Sequence, residues 1–211
     1  MIGRDEELVV LDALASRVER ERAPQLVTTY GHAGVGKTRL LTEFVATLDT
    51  ARVLHGRCLP YGEGITYWPL GEAAKGYAGI LDSDPAHDAL AKLEAAVAAD
   101  VPADRVRAIV EALGWTIAIG LPDDEDRDLG AVLRDAWGRF LTDLGRGGLT
   151  VLVVEDVHWA SEPLLELLEH VTVSLVVQDT QTVCDRVLDG DLELGVVGAE
   201  RMHRGLVFER F

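Results

Sequence analysis

The sequence predicts a three-layer α/β fold built on a parallel sheet, and three stretches carry that prediction. Gly31 to Thr38 (GHAGVGKT) meets every fixed position of the pattern G-x-x-x-x-G-K-[ST]. In front of it Gln25 to Tyr30 (QLVTTY) reads as a short buried strand, and behind it Leu40, Leu41, Phe44, Val45 and Leu48 recur at helical spacing. Leu149 to Asp156 (LTVLVVED) is an apolar run ending in two carboxylates, as a buried parallel strand reads when its carboxyl end borders a ligand site. Between these lies Arg52 to Arg57 (RVLHGR), a further strand.

The first stretch carries the chemistry. A triphosphate crowds several negative charges together, and successive backbone N–H groups can meet them only where no side chain blocks the approach. Glycine at 31, 34 and 36 removes that obstruction. Lys37 would reach the β/γ-phosphate oxygens as a point charge, Thr38 would offer its hydroxyl to Mg²⁺, and a helix opening near Gly36 would direct its positive end at the anion. The candidate nucleotide-binding set is Gly31, Gly34, Val35, Gly36, Lys37, Thr38 and Arg39. The bland alternative is a glycine-rich turn between a strand and a helix.

Composition bounds the class. At 211 residues and 48% hydrophobic, the chain can bury one core or two small ones. A formal net charge of −16 argues against a surface that grips nucleic acid or an anionic membrane unaided. Cys58 and Cys184 stand far apart without paired His or Cys nearby, so they form neither a disulfide framework nor a zinc site and read as small apolar fillers. With no apolar run near the roughly 18 residues of a membrane span, and a charged N-terminus (MIGRDEEL), the expectation is a soluble cytoplasmic protein.

In chain order, Leu8, Leu11, Ala15 and Val18 give the N-terminal segment a helical apolar face, with Asp5, Glu6 and Glu7 in a first turn whose dipole favours acids. Its opening, Gly-Arg-x-x-Glu-Leu from Gly3 to Leu8, resembles the N-terminal box of ATPases of the AAA+/STAND class. That resemblance implies a nucleotide contact for Gly3 and Arg4. Cys58 to Leu70 is, by its residues, a Gly/Pro-punctuated aromatic loop running into a helix. Together with the box and the phosphate loop, RCLPYGEGITYWPL resembles the ATPase module of large bacterial LuxR-type regulators and of proteins fused to adenylate or guanylate cyclase domains. The resemblance spans roughly residues 1–170 and implies ATP and Mg²⁺ as cofactors.

The middle reads as helical. Asp84-Pro85 caps a helix bearing Leu90, Leu93 and Val97, and a second helix with Val106, Ile109, Val110 and Leu113 stops at Gly114. Asp123-Asp124-Glu125-Asp126 reads as a solvated acidic turn rather than a metal site. Leu129 to Leu144 forms an amphipathic helix ended by Gly145, with Trp137 in the core.

At the end of Leu149 to Asp156 two acids are costly to bury unless something positive uses them, and Mg²⁺ is the natural partner. This is a Walker B pattern: Glu155 is read as a magnesium ligand with Thr38, and Asp156 as the residue that orients the attacking water, the two roles being open to exchange. Lys37, Glu155 and Asp156 are thus the candidate catalytic residues. His158 either senses a γ-phosphate or caps a turn, and Ser161 caps the helix of Leu164, Leu165, Leu167 and Leu168.

From about residue 171 the pattern changes. VSLVVQDTQTVCDRVLDGDLELGVVGAERMHRGLVFERF is similar to an internal piece of the effector-binding domain of LysR-type transcription regulators. The expected domains are therefore 1–170, a partial P-loop ATPase of AAA+ type lacking its helical lid, and 171–211, a fragment that supplies the sheet's next strand at 173–177. ATP is the expected partner, alongside self-association or larger regulator domains, with no direct nucleic acid and no membrane.

Overall fold

The computed structural model describes residues 4–29, 31, 34–60, 66–121 and 128–171. These residues fall into two compact units, 4–48 and Asp49–Val171.

The first unit holds two helices. Helix α1 (Asp5–Glu21) keeps its three acids in the first turn, and α2 (Lys37–Thr47) opens at the phosphate loop. They pack on one another with Leu11, Ala15, Leu40 and Phe44 buried, and Thr47 Oγ1 donates to Asp12 Oδ1 at 3.2 Å. The expected strand ahead of the loop does not form: residues 25–29 have no strand pairing, and Leu26 and Val27 stay about two-fifths exposed. A strand exists only against a partner backbone. The described residues of this unit, being helices and connections, offer none.

The second unit begins with β1 (Arg52–Arg57), crosses through α3 (Trp68–Ala78), α4 (Ala86–Asp100), α5 (Ala103–Thr116) and α6 (Leu129–Gly147), and returns as β2 (Thr150–Glu155). The strands are parallel, in a register that sets Arg52 opposite Thr150 and Arg57 opposite Glu155. A 3₁₀ turn at Val157–Trp159 and helix α7 (Glu162–Val171) follow. Among the described residues the expected larger sheet is these two strands.

Local chemistry explains the fit. Alternation buries Leu54 and Gly56 of β1, and α3 lies so close to Gly56 that a Cβ there would run into the Pro69 carbonyl. Trp137 and Phe140, both fully buried, meet edge to face at 5.6 Å, and Tyr77 meets Phe140 at 5.0 Å. Arg52 at the start of β1 donates to Asp100 at the end of α4 (2.7 Å), whose other oxygen lies 2.8 Å from the Tyr77 hydroxyl.

Three expected helix ends differ: Asp84 does not cap α4, whose N-cap is Pro85 with no side-chain cap bond, because Asp84 Oδ2 accepts from the Leu81 N–H and from Lys92 instead. Helix α5 runs past Gly114 to Thr116, because Gly114 is buried against the following turn, and α6 runs past Gly145 to Gly147, stopping at Gly148. The acidic run 123–126, Cys184, the strand at 173–177 and the whole LysR-like segment lie outside the described residues.

One charge is deeply buried. Asp143 on α6 is 3% exposed and accepts from Arg105 at 3.0 Å on both oxygens and from Arg146 at 2.8 Å. Arg105→Met, which strips most of that compensation, is expected to lower stability by roughly 1.5–3 kcal/mol. Arg146→Met, at a mostly exposed side chain, should cost under about 1 kcal/mol. Urea unfolding that ranks the two variants the other way would contradict this account.

Candidate functional site

The phosphate loop takes its shape from its glycines. Gly34 (φ 79°) and Gly36 (φ 95°) occupy the left-handed region, which a side chain would disfavour. A Cβ at Gly31 would meet Val35 Cγ1 at 2.8 Å. Helix α2 then starts at Lys37 with no side-chain cap and no acid in its own first turn, so its positive end is not offset by a carboxylate of that turn.

Cations hold the loop from within and from outside. Lys37 Nζ donates to the Gly31 carbonyl at 2.7 Å, while Arg4 donates through Nη2 to the Val35 carbonyl at 3.1 Å and through Nη1 to Glu7 at 2.6 Å. The Arg4 guanidinium keeps the Glu7 carboxyl below the ordinary carboxylate range. The carbonyl of Thr38 accepts from Thr42 Oγ1, and Arg39 pairs with Glu43 one turn along α2. Gly3, His32 and Ala33 lie outside the described residues.

Glu155 and Asp156 belong to the other unit, at the carboxyl end of β2. Here sequence reasoning missed two residues. Glu155, its side chain 10% exposed, accepts from His55 Nε2 at 3.0 Å on one oxygen and from Arg57 on the other. Arg57 Nε also lies 3.7 Å from Asp156, and its backbone N–H donates to Glu72 at 2.7 Å. Burial of Glu155 calls for positive partners, and His55 and Arg57 of β1 stand beside it. A usable signal was present in the strand RVLHGR, whose basic end must flank the acidic end of any parallel neighbour in this register.

Burial works to raise the Glu155 carboxyl, but the hydrogen bonds from His55 and Arg57 outweigh it and hold the group below its ordinary range. Asp156 adopts φ 56°, a conformation Asp tolerates better than most, and its carbonyl accepts from Trp159 N–H at 2.9 Å. His158 and Trp159 lie ring to ring at 5.0 Å.

Behind the strand ends is a cavity of about 20 Å³, room for about one water, lined by Cys58, Pro69, Trp159, Ser161 and Leu164 among others. Burial, aided by Asp156 and Glu72, pushes the Cys58 thiol up to about 11, so it is no nucleophile near neutrality. Ser161 precedes α7 as expected, yet its Oγ is buried and makes no hydrogen bond among the described residues, so the expected side-chain cap is not made. No group of three or more His, Cys, Asp or Glu among the described residues is placed to hold a metal, and no described helix is long and apolar enough to cross a membrane.

Because the folded value of Glu155 is depressed, its contribution to stability is fully present above the ordinary carboxylate range and is lost as pH falls through that lowered value. Arg57→Gln removes one of the two cationic partners that oppose burial and leaves the His55 hydrogen bond in place. The variant should begin to lose stability at higher pH than the wild type in acid titrations followed by circular dichroism, and superimposable curves would show that Arg57 does not set this carboxyl.

Comparison with curated proteins and with solved structures returns no match. A family model described as the AAA ATPase domain matches residues 1–175. With glycines that open the phosphate loop and a parallel strand pair whose second strand ends at Glu155 and Asp156, the chain belongs to the AAA ATPase domain family.

Proposed function

We propose that the chain is a Mg·ATP-binding P-loop module of a bacterial signal-transduction or transcription regulator, with slow hydrolysis at most. The observation that carries the binding reading is the phosphate loop: left-handed glycines at 34 and 36, followed by a helix end with neither cap nor acid. Lys37, Thr38 and the loop N–H groups would hold the phosphates. Thr38 and Glu155, the residues read as magnesium ligands, each carry a hard oxygen donor of the kind that ion prefers. The ion supplies charge neutralisation at the phosphate oxygens. The regulator setting rests on the resemblance carried by RCLPYGEGITYWPL.

Asp156 would orient the attacking water. A second reading, a nucleotide-gated switch that binds without turnover, is favoured by one observation: Glu155 is already engaged by Arg57 and His55, which a magnesium ion would have to displace or share. Among the described residues no arginine can be assigned as a transition-state finger, a part that supplies roughly 10³ to 10⁵ in rate where it exists.

Lys37→Ala should weaken ATP binding at least tenfold, about 1.4 kcal/mol, with the fold intact by circular dichroism. Equal calorimetric affinities for variant and wild type would sink the binding reading. Glu155→Gln should weaken the magnesium-dependent part of binding, whereas Asp156→Asn should leave binding near wild type and abolish phosphate release. Phosphate release at the wild-type rate from both variants would remove these two residues from the site.

A further inference from the structure

A phosphate loop attracts an anion through N–H groups, and any peptide that turns its carbonyl inward repels it. In a trans peptide the C=O and the following N–H point in opposite directions, so anchoring the first aims the second. The described peptides here are all trans. The peptide joining Val35 to Gly36 needs an anchor, because glycine accepts either sign of φ and so resists a peptide flip less than any other residue.

That peptide's carbonyl is the one Arg4 holds, from 31 positions away and outside the loop motif. The guanidinium is itself fixed: one terminal nitrogen is on Val35 O at 3.1 Å and the other on Glu7 at 2.6 Å. Glu7 sits in the first turn of α1, where the helix dipole favours a carboxylate, and its side chain is 11% exposed. A planar fork can serve two acceptors at a set angle, which an ammonium cannot do.

We propose that Arg4, braced by Glu7, is a positioning residue of the phosphate loop: it keeps the Val35 carbonyl turned away and so presents the Gly36 N–H to the phosphates. The inference rests on the nucleotide-binding reading and assigns Arg4 no contact with the nucleotide. Gly31, whose carbonyl is held by Lys37, is the second anchored peptide, so the loop is steadied at two carbonyls by two cations.

The test uses the full chain, with ATP and inorganic tripolyphosphate as ligands in calorimetry and the Gly36 amide followed by nuclear magnetic resonance. Arg4→Ala and Arg4→Lys should each weaken both ligands by the same factor, at least about tenfold for a lost charge-assisted hydrogen bond. Glu7→Gln should weaken both in the same direction. The shift of the Gly36 amide on adding tripolyphosphate should be present in the wild type and lost in Arg4→Lys.

Four results would overturn the proposal. Loss for ATP but not for tripolyphosphate would make Arg4 a base or ribose contact. Full affinity in Arg4→Lys would reduce its role to charge. Tighter binding by Glu7→Gln would mean that the released guanidinium reaches the phosphates itself. An unchanged Gly36 shift in Arg4→Lys would separate Arg4 from that amide. If the wild type binds neither ligand, and Lys37→Ala changes nothing, it is the nucleotide-binding reading that fails, taking this inference with it.

Discussion

The parallel pairing of β1 with β2 is the constraint on which the second unit depends. It joins residues about a hundred positions apart, and its register decides which side chains can meet. Set one residue along, Leu54 and Gly56 would leave the buried face and His55 and Arg57 would enter it. With the observed register, the apolar side of β1 rests on α3 while its basic side stands beside Glu155. The crossover α3 to α6 is therefore the core that makes the register worth keeping, as well as a connection.

What could be read in the sequence was local. Helices α1, α3, α4 and α6, both strands of the pair and the buried place of Trp137 follow from periodicity and punctuation within a few residues. Gly34 and Gly36 likewise announce a loop that needs left-handed backbone. Features that depend on a distant partner were illegible or misread. Residues 25–29 have the apolar composition of a strand, but composition does not provide the neighbouring backbone. Arg57 reads as an ordinary exposed strand residue until β2 is laid beside it. The side chain of Ser161 has the right chemistry for a cap, yet the chain turns it into a buried position where it makes no hydrogen bond among the described residues. Gly114 and Gly145 look like stops, but α5 runs on to Thr116 with Gly114 buried, and α6 runs on to Gly147.

The two candidate sites, each within its own unit, share one electrostatic device. In the first, Lys37 and Arg4 lie on loop carbonyls; in the second, Arg57 and His55 lie on a carboxylate. In both, a protein cation satisfies an oxygen that would otherwise face water or burial alone. Such contacts cost little to exchange when the incoming partner is also charged, since a charge-assisted bond is replaced by another of its kind. This is how a proposed binding surface can be well ordered beforehand and still be responsive.

The long separation between the paired strands has a consequence in time. During synthesis β1 emerges roughly ninety residues ahead of β2, and at about 5–20 residues per second its ladder stands open for on the order of 5 to 20 seconds. Helices need no such wait, because each closes its own bonds within microseconds. Helix α3, whose Pro69 backbone lies directly on Gly56, is the first element made that can cover the apolar side of β1. Packed there, it would cover the apolar side of the strand, though not its open ladder, before the partner arrives.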